Sequence, residues 1–470
     1  MTSESGRQIL KTRDDPAPVL LDRDETQEPG KPFKLSGEVT CSWAKAEEVF
    51  GPEKLRPRVE PWLTALVQSE HLSLLVGSGL TQAVQGLATR EALPGMGAIP
   101  LDVLHEEIAA EAKRAAEVAG RDSGNFEDQI RAANELLRGL EILALTKAGD
   151  APEHEQVKTL RKGLTDALGG FAVSILEGER RLVSAPPEER EQAFNYLVSF
   201  LMSFASRSGT RERLHLFTTN YDRYIEVGAD VAGLRLIDRF VGTLAPVFRA
   251  SRLDVDLHYN PPGIRGEPRY LEGVARLTKL HGSVDWVDCD RTIRRIGLPF
   301  GARETEPYVA APGLDGTGAM QLMIYPNAAK DRETAFYPYV ELFRDFAAAI
   351  CRPNSTLVCY GYGFGDEHIN RVVEDMLTIP SAHLVVIAHD DPLGRVMSTY
   401  ERLGRHAQVT LLVGDHLGDL QALVDHYLPK PAIDRTTFRM AELLKARWAA
   451  GQDKDDKEGT PPAAEGGREA

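Results

Sequence analysis

The 470-residue chain is short of cysteine and has no long apolar run, and both shortages narrow what it can be. Its four cysteines, Cys41, Cys289, Cys351 and Cys359, form no Cys-x-x-Cys pair and have no companion histidine at metal-ligand spacing. Neither a disulfide framework nor a structural zinc site is therefore indicated, the thiols read as reduced, and no zinc is expected. No segment approaches the roughly 18 uninterrupted apolar residues that a membrane span needs, so no membrane partner is expected. Residues 1–13 mix Ser, Glu, Arg and Lys without an apolar stretch. They do not read as a secretory signal, and a cytoplasmic location is the expectation.

Positive charge is also scarce. Lys and Arg number 55 against 70 Asp and Glu, a net charge of -15. Such a balance argues against a surface that tracks phosphate backbones, and no direct nucleic-acid binding is expected. The short basic runs at 211–213 and 294–295 read as solvated faces. With 42% hydrophobic and 27% charged residues, the composition is that of a globular protein with a substantial core.

Residues 1–55 are rich in Pro, Asp, Glu and Lys and read as a mostly disordered arm with one docking patch at 39–49. The first firm signal is Leu72 to Val76, an apolar strand stopped by Gly77-Ser78-Gly79. From about 102 to 210, apolar residues recur at spacings of three and four, which predicts a helical insert. Strands follow at 214–219, 277–286, 320–325, 355–360, 384–387 and 409–413, with a helix at 339–350. This alternation predicts an α/β fold: a doubly wound, mainly parallel, Rossmann-like sheet over 56–430 that carries the insert. Residues 431–450 fit a C-terminal helix, with Phe438, Ala441, Leu444 and Trp448 on one face. Residues 451–470 read as disordered.

Ligands of open parallel sheets bind beyond the carboxyl ends of the strands, and four polar or glycine-rich clusters are expected there. Gly77, Ser78 and Gly79 would let backbone amides approach a phosphate, or simply form a tight turn. Gln82 occupies the place of the third glycine in a dinucleotide fingerprint, which demotes hydride transfer. Thr218-Thr219-Asn220-Tyr221-Asp222 sets an amide and a carboxylate two residues apart, suited to ribose and carboxamide or to an Asx cap. His281-Gly282 ends the run that begins at Leu277; alone, such a histidine is more often a core residue than a catalyst. Asp285 and Trp286 read as packing residues behind it. Gly361-Tyr362-Gly363-Phe364-Gly365 is a second glycine-rich turn, after which Asp366 and Glu367 read as the cap and first turn of a helix.

Taken together and in this order, these motifs resemble the sirtuin-like proteins of bacterial antiphage defence, a divergent branch of the sirtuin superfamily. The resemblance spans roughly Pro61 to Pro429. It implies that Asn220 and Asp222 hold the nicotinamide ribose and carboxamide of NAD and that His281 is the catalytic histidine. Gly77, Ser78 and Gly79 would form the phosphate loop, flanked by Thr219, Tyr221 and Gly282. Gly361, Tyr362, Gly363 and Phe364 would follow the ribose and phosphates. The implied activity is NAD glycohydrolysis that depletes NAD in abortive infection, with NAD as substrate. A homo-oligomer is expected, gated by an ATPase or Argonaute-like partner or by a phage trigger. The chain lacks the paired cysteines of the zinc module of protein-deacylating sirtuins, and its helical insert differs from that module. A non-catalytic NAD- or ADP-ribose-binding module and a zinc-free deacylase are the alternatives.

Overall fold

The computed structural model describes residues 7–430 except 29, 38, 94–96, 98, 119–122, 150, 208–210, 250–255, 260–268, 290–291, 310–313, 315–321 and 325–336. The C-terminal helix and tail expected at 431–470 lie outside the described residues. In chain order the strands are β1 (Arg7–Lys11), β2 (Val19–Glu28), β3 (Lys31–Leu35), β4 (His71–Val76), β5 (His215–Thr218), β6 (Arg235–Ile237), β7 (Phe240–Val241), β8 (Val247–Phe248), β9 (His258–Tyr259), β10 (Arg269–Tyr270), β11 (Val274–Lys279), β12 (Gly282–Cys289), β13 (Thr292–Arg295), β14 (Leu322–Ile324), β15 (Ser355–Tyr360), β16 (His383–Ala388) and β17 (Val409–Val413). The helices are α1 (Pro52–Val67), α2 (Ser78–Thr89), α3 (His105–Val118), α4 (Phe126–Ala144), α5 (Pro152–Ser184), α6 (Pro187–Ala205), α7 (Tyr224–Ala232), α8 (Glu306–Val309), α9 (Tyr339–Ile350), α10 (Glu367–Leu377) and α11 (Arg395–Leu403).

Ten strands make one sheet in the order β3-β2-β1-β17-β16-β15-β4-β5-β11-β6. From β17 to β6 every neighbouring pair runs parallel. The strands from β17 to β11 are buried along nearly their whole length, as a sheet covered on both faces requires, whereas β6 at the edge is half-buried to exposed. Leu72, Leu74 and Val76 of β4 face the core shared with α1, α2, α6 and α7, whereas Leu75 faces the core shared with α9, α10 and α11. The chain leaves β4 toward β5 on one side and returns through β15 on the other. The carboxyl ends of β15 and β4 thus flank a topological switch point, where an open sheet offers a crevice.

Two expectations are corrected. The amino-terminal arm is not loose over 7–35: β1 pairs antiparallel with β17, β2 with β1 and β3 with β2. Leu10, Val19, Leu21, Phe33 and Leu35 are buried there. Among the interleaved charged residues Lys11 is buried, while Arg7, Asp22, Arg23, Asp24 and Lys34 stay partly exposed on this antiparallel edge of the sheet, where charge discourages further pairing. The stretch 277–286 is not one strand either. β11 ends at Lys279 in the main sheet, and β12 belongs to a second sheet of order β14-β12-β13-β8-β7. Leu280 and His281 form the turn between them, and Gly282 opens β12 at φ +90°, a conformation that favours glycine.

Helices α3 to α6 occupy the place of the expected insert. Residues of α3, α4 and the first half of α5 share a core of their own, including Ile108, Ile130, Leu137 and Leu164. Helix α6 instead packs Leu197, Phe200 and Leu201 into the main core. No helix among the described residues is long and apolar enough to cross a membrane.

Candidate functional site

Four loops leave the carboxyl ends of the adjacent strands β15, β4, β5 and β11. A chain of short contacts ties the first three together. Gly79 N–H donates to Gly361 O (3.1 Å) and Gly77 N–H to Tyr360 O (3.0 Å). A Cβ on Gly79 would come within 2.5 Å of Gly361 Cα, and one on Gly77 within 2.4 Å of Gly361 O. These glycines are therefore dictated by backbone packed on backbone, and Gly361 also has φ +60°.

Asn220 continues the chain. Its Nδ2 donates to Gly77 O (3.0 Å) and Thr81 Oγ1 (3.0 Å), and its N–H donates to Thr218 Oγ1 (3.0 Å). Both side-chain donors are thereby spent, leaving Oδ1 as the atom able to accept from a ligand hydroxyl. Thr81 Oγ1 donates in turn to Asp222 Oδ2 (2.7 Å), and Asp222 Oδ1 accepts from Tyr224 N–H (3.2 Å). That second bond closes an Asx turn just ahead of α7, whose N-cap is Arg223 and not an Asx residue, so Asp222 serves the turn as well as facing Thr81. Thr219 N–H bonds Val76 O (3.3 Å), fixing the loop to β4. Lys279, almost wholly buried, donates to Asp222 O and to Glu226 Oε1 (3.0 Å) and braces the segment from β11.

His281 is 7% exposed, and its Nε2 lies 3.8 Å from Asp366 Oδ2. Asp366 occupies the N-cap position of α10 as expected, but its side chain makes no cap hydrogen bond. Instead it faces the histidine. The sequence carried one hint of this role, a carboxylate directly after a glycine-rich turn. Gly282 follows as the first residue of β12.

Of the aromatic residues assigned to the pocket by sequence, Tyr362 is among those lining the cleft beside the glycine loops, whereas Phe364 and Tyr221 are not. Tyr362 and Phe364 are 4% and 5% exposed and pack on each other with ring centroids 4.9 Å apart. Tyr362 Oη approaches Asn370 Oδ1 (3.0 Å), and Asn370 Nδ2 donates to Phe364 O (3.0 Å), so the two aromatics staple the turn from below. Burial holds the Tyr362 hydroxyl well above the usual phenol range, so it remains neutral. Tyr221 points toward α5, its ring 5.8 Å from that of Phe171.

Beside the glycine loops opens a cleft of about 810 Å³, lined by Ser78, Gly79, Gly361, Gly363, His389 and Arg395 among others. A Cβ on Gly363 would meet nothing within 4 Å, consistent with a free surface there. Asn220, Asp222 and His281 do not line this cleft. The site therefore has two parts, an open glycine-walled groove at β15, β4 and β16, and a buried polar wall at β5 and β11. Among the described residues no three His, Cys, Asp or Glu side chains gather into a metal-holding set.

Two residues that the sequence did not mark hold the polar wall from behind. Glu179 of α5 is fully buried and accepts from Arg223 N–H (3.1 Å), Arg223 Nε (3.0 Å) and Gly301 N–H (3.2 Å). Arg223 also donates to Pro299 O (2.9 Å) and to Leu298 O. Burial pushes the Glu179 carboxyl up and the adjoining guanidinium opposes it. No protein-family model and no curated protein matches the chain.

Proposed function

We propose that the protein is an NAD glycohydrolase, releasing nicotinamide and ADP-ribose, and that it serves as an NAD-depleting effector of antiphage defence. The observation that carries this reading is the convergence of Asn220, Asp222 and the glycine loops through direct contacts at the switch point of one parallel sheet. The resemblance to sirtuin-like defence proteins supplies the substrate.

The reaction takes NAD⁺ and water to nicotinamide, ADP-ribose and a proton. As the bond between nicotinamide and ribose breaks, the pyridinium leaves as a neutral molecule and positive charge grows on the sugar. A site that orients the ribose and stabilises that charge accelerates the step. Asn220 Oδ1 would accept a ribose hydroxyl or hold the attacking water. Asp222 would orient the carboxamide. His281 would take the water proton, and the carboxylate of Asp366 at 3.8 Å would favour the protonated ring that results.

A second reading has an observation of its own. The open cleft is lined by the glycine loops together with polar residues such as Gln82, Asp391 and Arg395, and not by Asn220, Asp222 or His281, which suits a module that binds NAD or ADP-ribose without turnover. The two readings separate when the full chain is titrated with NAD while nicotinamide is followed by chromatography. Binding with nicotinamide release supports the glycohydrolase. Saturable binding without release, in the presence of candidate activators, supports the binding module.

A further inference from the structure

The loop that bears Asn220 and Asp222 is gripped alternately from two sides. Asn220 and Asp222 bond toward Thr81 and Gly77. Tyr221 and Arg223 turn the other way, onto α5. Phe171 lies against Tyr221, and Glu179 takes the Arg223 side chain and its backbone N–H. The Tyr224 hydroxyl adds a third grip, 3.0 Å from Gly178 O of α5 and 2.9 Å from Gln85 Oε1 of α2.

Helix α5 runs unbroken for 33 residues, about 50 Å at 1.5 Å per residue. Its first half places Leu160, Leu164 and Leu168 in the insert's own core. Its second half places Ala172 and Leu176 against Tyr221, Val284 and Val287. Gly169 and Gly170 lie between the two zones. A Cβ on Gly170 would meet nothing within 4 Å, so packing does not require glycine there. Consecutive glycines are the weakest helix formers short of proline, and they mark where such a helix bends most easily.

We propose that α5 is a lever: through the Glu179–Arg223 fork it sets the position of the Asn220–Asp222 segment, so that a change in the 105–168 part of the insert is transmitted to the polar wall. Glu179 and Arg223 are then positioning residues, and the insert is the input of the site. The assignment of what the site does rests on the glycohydrolase reading; the mechanical coupling does not.

The test is hydrogen–deuterium exchange on the full chain. Peptides covering 219–224 are compared with the strand peptide 355–360, in the parent, Leu164→Ala, Glu179→Gln and the double variant. Leu164→Ala loosens the insert's core, and in the parent it raises exchange at 219–224 on the order of tenfold relative to 355–360. In the Glu179→Gln background the same change has a clearly smaller effect, because the fork is weakened while the Phe171–Tyr221 and Tyr224–Gly178 contacts remain. An equal effect in both backgrounds, or no effect at 219–224 in the parent, overturns the lever. If Glu179→Gln does not fold, Gly170→Ala replaces it. Stiffening the joint enlarges the Leu164→Ala effect at least about twofold, and an unchanged effect overturns the proposal. Nicotinamide release is followed in parallel. Turnover without exchange coupling removes the lever and keeps the glycohydrolase, whereas coupling without turnover does the reverse.

Discussion

Histidines at the two edges of the same parallel sheet have opposite surroundings. His215 and His383 open β5 and β16 at the amino edge. Each places Nε2 against a threonine hydroxyl of the next strand, Thr278 at 2.9 Å and Thr410 at 2.8 Å. Burial, helped by nearby Arg276 and Arg239, lowers His215 to about 3, and burial with Lys11 lowers His383 to about 4. Both rings are neutral fixtures of the core. His281 follows β11 at the carboxyl edge and faces a carboxylate instead. Residue type alone does not set the role of a histidine in this fold; the end of the strand it occupies, and the group it meets there, do.

The contrast is broken or sharpened by substitution at each edge. The largest effect is expected at the carboxyl edge, where His281→Ala lowers nicotinamide release by about 10²- to 10⁴-fold, the usual contribution of a general base. His383→Gln, which can still bond Thr410, leaves release unchanged. Next comes the glycine contact that fixes the carboxyl-edge loops. Gly361→Ala places a Cβ 2.5 Å from Gly79 Cα at a positive φ, and chemical denaturation should record a loss of about 1–3 kcal/mol.

Acid distinguishes the edges as well. The folded pKa values of His215 and His383 lie below their unfolded values, so their stabilising contribution is present above about pH 6.5 and is lost as pH falls toward about 3 for His215 and about 4 for His383. Between pH 6.5 and 4.5 each costs up to about 1.4 kcal/mol per pH unit. His383→Gln should flatten the measured slope of stability against pH by one such share. The smallest effect belongs to Thr278→Val. It removes one hydrogen bond from His215 and should cost about 1 kcal/mol in denaturant titration, with no change in nicotinamide release.

What could be read from the sequence divides along a similar line. The glycine loops, the Asn-x-Asp motif and His281 are local patterns at strand ends, and reading them needs only the strands and the rule for where open sheets bind ligands. The α/β alternation and the helical insert were legible for the same reason. Asp366 and Glu179 were not, because each reaches its partner across a long stretch of chain. In sequence, one looks like a helix cap and the other like a solvent-facing glutamate on an amphipathic helix. Phe364 misled because aromatics between glycines suggest a ligand face, whereas it does not line the cleft and anchors the turn in the core; Tyr362 lines the cleft with its side chain largely buried. The hairpin β1–β2–β3 was hidden because the apolar residues of an edge strand alternate with charge and so resemble a disordered arm.

The most direct measurement of the central claim is nicotinamide release from NAD by the full chain and by Asn220→Ala and His281→Ala, with folding checked by thermal melting. The expected result is turnover in the parent and a loss of at least about 10²-fold in each variant, with melting profiles preserved. Turnover that persists at the parent rate in both folded variants would contradict the assignment of the polar wall as the site of chemistry.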